Sequence, residues 1–99
     1  MTSEEKNSSL LFSLIMTFKA AAMQQMGKLK NPITDKIERD LQQAQLSIDI
    51  LDMLAEKTKG NLSEDESRLL KGVIQELKLN YVDESTKEQP TEEKEKAPS

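Results

Sequence analysis

Apolar side chains between Ile37 and Ala55 recur at intervals of 4, 3, 4, 3 and 4 residues: Ile37, Leu41, Ala44, Ile48, Leu51, Ala55. A repeat averaging 3.5 residues sets them in one seam along a helix and is incompatible with the alternation of a strand. A second apolar row, Leu46, Ile50 and Met53, falls roughly opposite the first and is widened by Leu54. Between them runs a polar row at the same intervals: Glu38, Gln42, Gln45, Asp49, Asp52 and Glu56. A helix with two apolar seams has to cover two partners, and that requirement constrains everything else about the chain.

The surrounding signals predict an all-α chain of three helices, over about 9–29, 32–58 and 63–82, forming a bundle. Ser8 or Ser9 can cap the first helix, after a polar, disordered lead-in over 1–8. Gly27 lies near its end, and Asn31-Pro32 stops it, because the residue before a proline avoids the helical region. Asn31 can then cap the second helix with Pro32 at its first position, or Thr34 can do so with Asp35 in the first turn. Gly60 supplies the left-handed residue after that helix, with Lys57 and Lys59 at its negative end. Ser63-Glu64-Asp65-Glu66 is a capping box with Leu62 as the staple residue, which gives the third helix the clearest start in the chain. Gly72 and Asn80 weaken that helix slightly. The single helical domain spans 9–84. From Ser85 to Ser99 only Ala97 is apolar besides proline, too little burial to offset ordering, so a disordered polar tail is expected there.

The first helix is apolar around most of its circumference. Leu11, Ile15, Phe18, Ala22 and Leu29 mark one seam; Phe12, Met16, Met23 and Met26 mark another. The third helix offers one ordinary face through Leu69, Leu70, Val73, Ile74, Leu77 and Tyr81. One face cannot cover two seams on the second helix and most of the first. The excess predicts a homo-oligomer, most simply a two-fold dimer, with Leu11, Phe12, Ile15, Met16, Phe18, Met23 and Met26 as candidate interface residues.

Composition narrows the chemistry. The 99 residues contain no cysteine and no histidine, which removes disulfides, thiolate nucleophiles, the commonest general base and the commonest metal ligand. No nucleotide or metal motif is present, so no catalytic residue, no cofactor and no metal is expected, and the chain reads as non-enzymatic. A net charge of −4 and only three aromatic residues, Phe12, Phe18 and Tyr81, argue against nucleic acid as a partner. Glu4 and Glu5 stand where a signal peptide would be positive, and a cytoplasmic location is the expectation. Lys19 in the middle of Leu10–Met26 costs about 2.5–3.5 kcal/mol on insertion, which excludes a transmembrane span through this run.

Three weaker candidates remain. Lys28, Lys30, Lys36 and Arg39 cluster beside the apolar first helix, as a peripheral binder of an anionic membrane surface or anionic ligand would require. The turn Lys57, Thr58, Lys59, Gly60, Asn61, Leu62, Ser63 joins cations to a helix N-terminus and could hold an anion, although it lacks phosphate-loop spacing. Asp49, Asp52 and Glu56 line one side of the second helix, as a carboxylate enzyme would need, but no histidine accompanies them. The bland reading of each is a solvated face or turn. The three methionines Met16, Met23 and Met26 could form an adaptable groove, with core or dimer packing as the alternative.

Residues from about Leu11 to Asp83 resemble the bacterial family catalogued as domain of unknown function 1844. The similarity is carried by Phe12 to Gly27, by Ile48 to Ser63 (IDILDMLAEKTKGNLS), which is the most specific stretch, and by Glu76 to Val82 (ELKLNYV). Asn31-Pro32-Ile33-Thr34 corresponds to the short form of a variable loop. The resemblance implies a small, cytoplasmic, helical bacterial protein and supplies no activity, cofactor or catalytic residue.

Overall fold

The computed structural model describes residues 1–87. Three helices, α1 (Ser3–Gln25), α2 (Leu41–Lys57) and α3 (Glu64–Thr86), pack as a bundle beside a two-stranded ribbon, β1 (Lys30–Asn31) and β2 (Lys36–Ile37). The expected tail lies mostly outside the described residues, but α3 continues through Thr86, past the expected end near Val82. Contacts between α1 and α3 advance together along both helices: Ser8 with Glu66, Lys19 with Glu76, Lys28 with Asp83. These helices are therefore parallel. Helix α2 runs antiparallel to both, since its early Ser47 meets Gln25 at the end of α1 and its later Ala55 and Glu56 lie beside Ser67 and Leu70 near the start of α3.

Helix α1 starts six residues earlier than expected. Thr2 accepts from the Glu5 backbone N–H at 3.1 Å, and Glu5 accepts from the Thr2 backbone N–H at 2.8 Å. This reciprocal pair satisfies two otherwise orphaned donors and turns the expected lead-in into helix. At the other end Met26 closes α1. The Gly27 N–H donates to the Gln24 carbonyl (2.9 Å) and the Lys28 N–H to the Met23 carbonyl (2.8 Å), the double bond of a Schellman end. Gly27 has φ +86, a backbone region that side-chain-bearing residues adopt only with strain.

Helix α2 starts nine residues later than expected, and neither Asn31 nor Thr34 caps it. Residues 30–37 form a hairpin instead, pairing Lys30 with Ile37 and Asn31 with Lys36. The Asn31 side chain is used inside the turn, where its Oδ1 accepts from Ile33 N–H at 2.8 Å and its Nδ2 donates to Glu38 at 2.9 Å. The Asn31 carbonyl accepts from the Asp35 N–H at 2.7 Å, with Asp35 at φ 60. Asn and Pro serve turns as readily as helix starts, and here the turn prevails. The actual cap is Asp40, which accepts from the Gln43 N–H at 3.2 Å. Its own N–H donates to the Gln25 carbonyl at 2.7 Å, tying the start of α2 to the end of α1. Helix α3 begins as expected, with Ser63 and Glu66 forming both halves of the capping box.

The core is one cluster: Ile15, Ala22 and Met26 from α1, Ala44, Ile48 and Leu51 from α2, and Leu70, Val73, Ile74 and Leu77 from α3. The 4,3 seam of α2 is thus the buried one, except for Ile37, which lies in β2 and is exposed. Among the described residues Ser47 is the one buried polar residue, and the Gln25 carboxamide satisfies it at 2.7 Å.

Candidate functional site

Helix α1 from Asn7 to Gln25 carries a single charge, Lys19, in a chain that is 32% charged. That charge is directed to α3, 3.3 Å from Glu76. The rest of this stretch is apolar or polar and uncharged. Gln25 and Ser47 mark the side of α1 that faces α2, and the residues just outside that contact follow the helical repeat: Leu10, Leu14, Thr17, Ala21. Leu10 and Leu14 are 58% and 42% exposed. The corresponding outer row of α2 is Leu46, Ile50 and Met53, with Leu46 and Met53 about half exposed. Both rows flank the same α1–α2 contact. They form one apolar face of two antiparallel helices. The α2 row continues at the same interval into Lys57, which is exposed, so its apolar strip ends in a cation.

Of the seven interface candidates on α1, Ile15 and Met26 have no exposed surface and belong to the chain's own core. Leu11, Phe18 and Met23 pack half-buried against that core. Phe12 is half exposed on the other side of α1, toward Leu69 of α3, and Met16 is partly buried. Phe12 lines a groove with Ser8, Ser9, Glu66 and Leu69. The Ser8 hydroxyl donates to Glu66 across it, and this bond, before the Ser63 N–H bond, holds the Glu66 carboxyl below its ordinary pKa. The sequence pattern groups Leu11, Ile15, Phe18, Ala22 and Leu29 in one seam and Phe12, Met16, Met23 and Met26 in another, and leaves Leu10, Leu14 and Ala21 unassigned. The residues that separate the faces are Leu10, Leu14 and Ala21, and their signal was the missing charge along this side.

The basic turn is largely neutralised from within. Lys28 lies 2.8 Å from Glu84 and 3.5 Å from Asp83, and Arg39 lies 3.7 Å from Glu84 and donates to its backbone carbonyl. Lys87 adds contacts of 3.2 and 3.3 Å to Glu84 and Asp83. The Lys28 hydrogen bond lowers the Glu84 pKa, and the same bond raises that of Lys28. Asp83 is lowered chiefly by Lys87. Lys30 and Asp35 approach at 3.9 Å on the exposed hairpin. The structure thus places the four cations of this cluster on the hairpin and its flanks and directs two of them to the end of α3.

The acidic row is likewise engaged or solvated. Asp52 pairs with Lys78 at 3.0 Å, and Asp49 accepts from Gln45 at 2.9 Å. Among the described residues no group of three His, Cys, Asp or Glu side chains is arranged to hold a metal ion. In the Lys57–Ser63 turn, Gly60 has φ +88 and the Asn61 N–H donates to the Thr58 carbonyl at 2.8 Å; Lys57, Lys59 and Asn61 are exposed. Ser63, the last member of that candidate, has its hydroxyl and its N–H engaged with Glu66. No helix among the described residues is long and apolar enough to cross a membrane.

The sequence profile of the family described as domain of unknown function (DUF1844) matches residues 8–84. The chain belongs to this family. The DUF1844 unit takes in all three helices, the hairpin, and both sides of the Lys28–Arg39–Glu84 cluster, while the Thr2–Glu5 box lies before it. No curated protein and no solved structure matched in the corresponding comparisons.

Proposed function

We propose that this DUF1844 member is a non-enzymatic helical module that acts through protein–protein contact, first of all with a second copy of itself. The observation that carries this reading is the apolar surface left on the folded chain: Leu10, Phe12, Leu14, Leu46 and Met53 are each 42% exposed or more, although they sit on well-packed helices. Apolar surface grouped on neighbouring helices marks an interaction site, whereas scattered exposed residues would need no explanation. The bundle core already uses Ile15, Ala22 and Met26, so these outward residues are not required for folding of the monomer. The internal pairing of Lys28 and Arg39 with Glu84 supports protein contact over an anionic surface, because those cations would have to abandon carboxylates to meet phosphate.

Size-exclusion chromatography with light scattering tests the proposal. A mass twice that of the 11.2 kDa chain at micromolar concentration is the expected result. A strictly monomeric species over that range overturns it.

A further inference from the structure

We draw no further inference here: the strongest candidate, the outer apolar face of the α1–α2 pair with Leu10, Leu14, Leu46 and Met53 exposed on it, carries nothing beyond the contact already proposed, because nothing in the structure shows what covers it.

Discussion

Glu84 is the residue on which three segments converge. Its carboxylate receives Lys28 and Arg39 from either side of the hairpin and Lys87 from its own helix, and its carbonyl accepts from Arg39. Glu84, Asp83 and Glu66 all have carboxyl pKa values lowered in the fold. Their stabilising effect is complete above the ordinary carboxylate pKa and disappears as pH falls through the lowered values. Lys28, raised above 10.5, contributes fully below that value and loses its effect as pH rises through the raised one. Thermal melts should therefore show Tm falling below about pH 4 and again at strongly alkaline pH. In Glu84→Gln, Tm should be lower at neutral pH and the acid decline shallower. Equal acid slopes in variant and wild type would remove Glu84 from this role. At this scale the sequence revealed the cations but not their partners, because Lys28 and Glu84 are far apart in the chain and only the parallel packing of α1 with α3 brings them together.

At the scale of elements, the turns decide more than the helices do. Helix α3 was legible to its first residue, since Ser63 and Glu66 admit one local arrangement and an apolar repeat follows directly. The same signature at Thr2 and Glu5 opens α1 but is followed by polar residues, so periodicity alone placed the start near Ser9. The hairpin was missed because Asn31 and Pro32 suit either a helix start or a turn. Gly27 is the other punctuation mark. A Cβ there would meet Arg39 and Ile37 at 3.7 Å, which is ordinary contact, so the obstacle to substitution is φ +86 alone. Gly27→Ala should cost about 1–2 kcal/mol in a denaturant melt with no change in slope. A variant as stable as wild type would mean that the Schellman end is not needed to aim the hairpin. The heptad seam of α2 was read correctly over Leu41–Ala55, because burial follows the repeat wherever the backbone is helical.

At the scale of the whole molecule, a surplus of apolar surface was legible in the residue pattern but its location was not. Two seams on α1 look alike until the sides taken by α2 and α3 are known, and that depends on up-down-up packing that no local pattern specifies. The packing has a kinetic counterpart. The α1–α2 pair is complete by Lys57, yet the hairpin between those helices is fastened by residues 83 and 84 at the far end of α3. In a chain made from the N-terminus onward, Lys28 and Arg39 must wait for nearly the whole domain before their partners emerge. A chain truncated after Val82 should accordingly keep slow amide exchange in the cores of α1 and α2 and lose it across residues 30–37; protection retained in the hairpin would show that it stands without the clasp. The last helical turns of α3 thus act as a latch on completion, so that the connection between the first two helices reaches its final form only after the ribosome has delivered the third.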